Sequence, residues 1–111
     1  MGALKDFVAK KFGRSTRAIT NPVTDTCGTT ATVLLQNNPD RLAAIIINLG
    51  ATAMYVAWDR DVSASHGILV VSGGGSITLI ADEDGELVGY ELYGVAITNP
   101  VDVFVMEVEA E

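Results

Sequence analysis

The feature that most constrains the fold is an alternation, from Thr29 onward, of short β-branched apolar runs with clusters of Asn, Asp, Pro, Gly and Ser. Runs this short, bounded by turn residues, suit the strands of an antiparallel sandwich or barrel. Strands are expected over Thr29 to Gln36, Leu42 to Leu49, Met54 to Trp58, Ile68 to Val71, Ser76 to Ile80, Glu86 to Ile97 and Val101 to Glu109. Leu42 to Leu49 is apolar on both faces, as in a central strand packed from both sides. Ser72-Gly73-Gly74-Gly75 reads as a hairpin turn between its flanking strands. Gly89 and Gly94 are candidate bulges or bends within a strand. In the final strand Phe104, Met106 and Val108 share one face.

A chain of 111 residues supports one core, and with 49% hydrophobic residues it must bury apolar surface. The expected fold is a single all-β domain, an antiparallel β-sandwich or jelly-roll-like unit over residues 29–111. No apolar run approaches the ~20 residues of a membrane helix, and the N-terminus does not read as a secretory signal. Cys27, the one cysteine, excludes an internal disulfide framework and a cysteine-based zinc site.

Charge divides the chain unevenly. The first twenty residues hold five of the seven basic residues, Lys5, Lys10, Lys11, Arg14 and Arg17, against Asp6 alone. That is a net +4 on the arm, and with −7 overall it leaves −11 on the body. An acidic body repels phosphate backbones, which argues against a nucleic-acid face on the domain. Leu4, Phe7, Val8 and Phe12 recur at the spacing of one helical face, so residues 3–12 are expected to form a short amphipathic helix ended by Gly13. Ten helical residues are marginal alone in water, so the stripe must dock on its own body or on a partner. An acidic protein surface suits the basic side; a solvated face and nucleic-acid contact are the competing readings. Residues 1–28 are therefore read as a basic arm and linker, the linker running from Ser15 to Gly28.

No catalytic set emerges. His66, the single histidine, has Ser63, Ser65 and Ser72 nearby in sequence but no nucleophile elbow, and is read as a polar loop residue. Asp82-Glu83-Asp84-Gly85-Glu86 concentrates carboxylates without the register of a calcium loop, and is read as a solvated turn. Tyr55, Trp58, Tyr90 and Tyr93 are the aromatics for core or subunit-interface packing, with ligand stacking as the alternative. No metal or cofactor is implied.

From Arg41 to Val108 the chain has a further pattern. A hydrophobic strand ends Ile47-Asn48-Leu49-Gly50 and is followed by Met54-Tyr55-Val56. Asp59, Val62 and Ser63 mark a loop before Gly67-Ile68, and Gly75-Ser76 opens a strand. Tyr90 to Gly94 and a closing Val103 to Glu107 complete it. This pattern resembles small β-rich virion structural proteins of tailed bacteriophages. The resemblance implies a head decoration or capsid-stabilising protein with no chemistry of its own, and it excludes the arm.

The expectation is thus a virion protein, made in the host cytoplasm, that associates with itself as a trimer and docks on the major capsid protein or another virion protein. Its expected docking residues are Leu4, Lys5, Phe7, Val8, Lys10, Lys11, Phe12, Arg14 and Arg17. The alternative is a glycan-binding module of a tail or fibre. A small hydrolase or cupin-like enzyme is disfavoured by the single histidine.

Overall fold

The computed structural model describes residues 16–81 and 85–110. The helix expected over residues 3–12 and the acidic residues Asp82, Glu83 and Asp84 lie outside them. The strands are β1 (Thr16–Thr20), β2 (Thr26–Cys27), β3 (Thr32–Leu35), β4 (Arg41–Asn48), β5 (Met54–Ala57), β6 (Ile68–Val70), β7 (Ser76–Ile80), β8 (Leu92–Ala96) and β9 (Val101–Ala110). They make two antiparallel sheets in an all-β domain. The first sheet runs β1-β9-β4-β7 with β2 also on β9, and the second runs β3-β8-β5-β6. Leu34, Ile46, Met54, Val56, Leu92, Val103 and Val105 fill the space between them, all closed to solvent.

β4 ties the layers together at both ends. At its start the buried Arg41 donates to Glu107 on β9 and to the carbonyls of Gln36, Val88 and Tyr90. At its end the buried Asn48 donates to the carbonyls of Thr52 and Val70 and accepts from the Gly50 amide. Buried polar groups persist only when satisfied, so each residue fixes the loops around it.

Three expectations are corrected. The segment read as a linker contains β1 and β2, which pair with β9, so the sheet already includes Thr16–Thr20 and Thr26–Cys27, ahead of the start expected near Thr29. Between them Asn21, at φ 45°, bonds to Val105 through its amide and its side-chain oxygen, keeping the edge attached across a break. Ser72 to Gly75 is no hairpin: β6 pairs with β5 and β7 with β4, so the turn carries the chain from one sheet to the other. Gly73 and Gly74 take positive φ there, and their amides bond to the carbonyls of Gly50 and Asn48.

The single strand expected over Glu86 to Ile97 divides into a 3₁₀ turn, Gly85–Gly89, and β8. The turn is held because Asn38 and Arg41 donate to its carbonyls at Gly89 and Val88. As expected, Phe104, Met106 and Val108 share one face of β9; it is the half-buried outer one, while Val101, Val103, Val105 and Glu107 form the inward face.

Candidate interaction surfaces

The two sheets differ in what covers their outer faces. On the second sheet, Val33, Tyr55, Ala57, Tyr93 and Val95 gather outside the main core, and the β5–β6 connection folds over them through Val62. Arg60 stacks on the Tyr93 ring at 5.6 Å and donates to its hydroxyl at 3.2 Å. That hydroxyl donates in turn to Glu91. This face is closed by its own chain.

The outer face of the first sheet has no such cover among the described residues. Ala43, Ile45 and Ile47 of β4 lie there, paired across to Val108, Met106 and Phe104 of β9. On the other side Ile80, Thr78 and Ser76 of β7 stand opposite the same three β4 residues. Ala43 is flanked by larger cross-strand neighbours and leaves a shallow depression of about 270 Å³ lined by Ala43, Ile45, Thr78, Ile80, Met106 and Val108. The expectation that β4 packs on both faces therefore holds for one face within the described residues: Ala44, Ile46 and Asn48 are buried, and Ala43, Ile45 and Ile47 are half-buried.

A second apolar surface follows the edge of the second sheet. β6 is an outermost strand, with Ile68 at 41%, Leu69 at 50% and the adjoining Val71 at 53% exposure. Leu49 and Ile97 are also strongly exposed, in the loops that leave β4 and β8 at the Asn48 end of the sandwich. An edge strand offers unpaired backbone groups, and large apolar side chains on it favour contact with another chain.

The opposite end carries a cleft of about 620 Å³ lined by Asn37, Pro39, Leu42, Glu86 and Tyr90, with Arg41 at its base. Tyr90 is exposed, and its hydroxyl donates to Glu86 at 3.3 Å. Trp58 is half-buried against the core, its indole donating to the Leu87 carbonyl at 3.1 Å. The four aromatics thus do not form one platform: Tyr55 and Tyr93 share the closed outer face, and Tyr93 is buried there.

Of the expected docking residues, Arg17 lies among the described ones. It sits on β1, and its guanidinium holds Glu109 at 2.8 Å. That contact, with a further bond from Asn38, keeps the Glu109 carboxyl below its ordinary range. Leu4, Lys5, Phe7, Val8, Lys10, Lys11, Phe12 and Arg14 lie outside the described residues.

The polar candidates form no acid–base–nucleophile array. His66 Nε2 faces Asp59 at 3.0 Å, both exposed. That contact raises the His66 pKa and lowers that of Asp59. Ser63 Oγ lies 3.3 Å from Ser65 Oγ, and the Ser63–His66 turn is closed by backbone bonds. Among the described residues no group of three or more His, Cys, Asp or Glu could hold a metal ion. No helix there is long and apolar enough to cross a membrane. Cys27, which falls in the segment read as a linker, belongs to the main core, and burial pushes its thiol up to about 11.

No protein-family model matches the chain, and no curated protein matches it. Among solved structures it is similar to a chain from Bacillus endospore appendages, described as a novel family of disulfide-linked pili. The two share 15% identity over 87% of this chain and 86% of that one, at a TM-score of 0.47.

Proposed function

We propose that this protein is a non-catalytic assembly subunit, a decoration or capsid-stabilising component of a bacteriophage virion that associates with copies of itself and docks on the capsid lattice. One observation carries the assembly role: the exposed apolar edge at Ile68, Leu69 and Val71 on an outermost strand. Such an edge loses unfavourable solvent contact and gains backbone partners when another chain lies beside it. The virion assignment rests on the sequence resemblance between Arg41 and Val108. A subunit that binds only the assembled shell stabilises it by mass action.

Sedimentation velocity of the full chain tests the self-association. Wild type is expected to form a discrete oligomer, and Leu69→Lys to sediment as a folded monomer. A wild-type monomer at every concentration overturns the oligomer. Proteomics of purified virions from the encoding phage tests the location, and absence of the protein from them rejects it.

The cleft beside Tyr90 favours a second reading, a glycan-binding module of a tail or fibre. It combines an exposed aromatic ring with Asn37 and Glu86, groups suited to sugar hydroxyls. A glycan array with wild type and Tyr90→Ala decides this: saturable signal lost in the variant supports it, and no signal rejects it.

A further inference from the structure

We propose that two copies of this chain pack together through the outer face of the second sheet at its Asn48 end, with Ala53, Tyr55, Leu69, Val71 and Ile97 as the contact. The proposal rests on the assembly reading above and names the surface by which the copies meet. The strand registers place these residues side by side. Leu69 on β6 and Val95 on β8 flank Tyr55 on β5, and cross-strand partners share a face. That face is the outer one, since Tyr55 and Val95 belong to the cluster outside the main core. Met54 pairs with Val70 and Ala96 in the next, inward-facing row, so Ala53, Val71 and Ile97 follow on the outer side. The Ile97 amide donates to the Ala53 carbonyl at 3.4 Å, which holds that row together. The cover supplied by Val62 and the β5–β6 connection reaches Ala57, Tyr93 and Val95 and stops before this row, where Val71 and Ile97 are about half exposed.

Area and charge both point to a second copy as the occupant. With the open part of Ile68 beside them, these side chains present on the order of 400 Å² of apolar surface, as large as the main apolar patch of a typical soluble domain. Doubled by a two-fold axis, that is roughly 800 Å², against about 900 Å² of apolar area in a protein interface of standard size. None of the five residues is charged, although the chain carries 14 acidic residues against 7 basic ones. A two-fold contact sets a surface against its own image, so like charges would meet there and the contact must avoid them. A partner of opposite sign would instead be met through charged side chains.

The backbone edge of β6 contributes less than its side chains. The strand spans only Ile68–Val70. Beyond it Gly75 lies against the Val71 backbone, where an added Cβ would collide with the carbonyl oxygen and the amide nitrogen. Before it, His66 is turned back onto Ser63 by two backbone bonds. Three residues make a short ladder for strand addition, so the shared face carries the contact.

Sedimentation velocity of the full chain over a wide concentration range tests this with Ile97→Asp and Ala53→Arg, both off the β6 edge; circular dichroism and thermal melts verify their folds. The proposal expects a wild-type dimer whose dissociation constant rises about a hundredfold or more in each variant, because like charges then face one another. An unchanged constant in a folded variant, or a wild-type trimer, overturns the two-fold contact and leaves the assembly reading standing on another surface. A wild-type monomer at every concentration overturns both. Should neither variant fold, methyl NMR of the wild type decides. Concentration-dependent shifts at Val71 and Ile97 support the shared face, and their absence there overturns it.

Discussion

Arg41 on β4 and Glu107 on β9 are joined by a 2.6 Å contact between Nε and Oε2, with side chains only 1% and 6% exposed. The rest of the guanidinium is taken up by the carbonyls of Gln36 just past β3, Val88 in the 3₁₀ turn and Tyr90 just after that turn. A pair this enclosed contributes little net stability against an apolar replacement, but each half depends on the other. The pair also joins the first sheet to the cleft, since the carbonyls of Val88 and Tyr90 belong to residues that line it.

Arg41→Ala is expected to destabilise the domain by about 3–5 kcal/mol, because it strands the Glu107 carboxylate in the core. The double replacement Arg41→Met with Glu107→Leu should recover part of that loss. The remainder stays with the carbonyls that lose their donor. Urea unfolding midpoints of the three proteins measure it; a single variant as stable as wild type contradicts the role described.

Gly94→Ala is expected to cost about 1–3 kcal/mol by overpacking. A methyl group at that position would lie 2.6 Å from Leu34 Cδ1 and 3.1 Å from Cys27 Sγ, both in the main core. Thermal melting reads the loss. An unchanged melting temperature would mean that Leu34 yields without penalty.

Cys27 is expected to resist a maleimide at pH 8 in the folded protein and to react promptly in urea. Burial leaves it 0% exposed and holds the thiol near 11, so both access and thiolate are lacking. Rapid labelling under native conditions would show that β2 opens from the sheet.

His66 is expected to titrate above its ordinary value of 6.5, because hydrogen bonding to Asp59, then its charge, favours the protonated ring. A raised folded pKa stabilises fully below 6.5, and that contribution disappears as pH climbs through the raised value. Asp59 runs the other way. Its pKa is lowered, chiefly by the His66 bond, so its share holds above the ordinary 3.8 and is lost as pH falls through the lowered value. The contact is thus strongest between those limits. Proton NMR of the imidazole measures the midpoint, and Asp59→Asn should return it toward 6.5; a wild-type midpoint at or below 6.5 contradicts the contact.

Much of the fold was legible where a run was apolar and bounded by turn residues. Ser76 to Ile80 matches β7, and Leu42 to Leu49 differs from β4 by one residue at each end. β1 escaped notice because it is an edge strand with little burial, so Thr16–Thr20 shows no strong apolar alternation. The sheet-to-sheet crossing at Gly73 and Gly74 escaped because glycine turns look alike in either role. β9 was ambiguous for a different reason. Val101, Val103 and Val105 alternate with Phe104, Met106 and Val108, and the acidic Glu107 sits on the buried side, where only its Arg41 partner explains it. Which face of β9 turns inward follows from that pairing and from nothing local. The aromatic candidates show the same limit, since residue type could not separate the enclosed Tyr93 from the exposed Tyr90.

β9 pairs with β1, β2 and β4, and in the contact between Arg17 and Glu109 it meets a residue 92 positions earlier. During translation the first of these strands leaves the ribosome long before its neighbour exists, and must wait unpaired until Val101–Ala110 emerges. Closure of this sheet is therefore a late, slow event governed by long-range pairing, and until β9 emerges the earlier strands stay unpaired and in need of protection from aggregation.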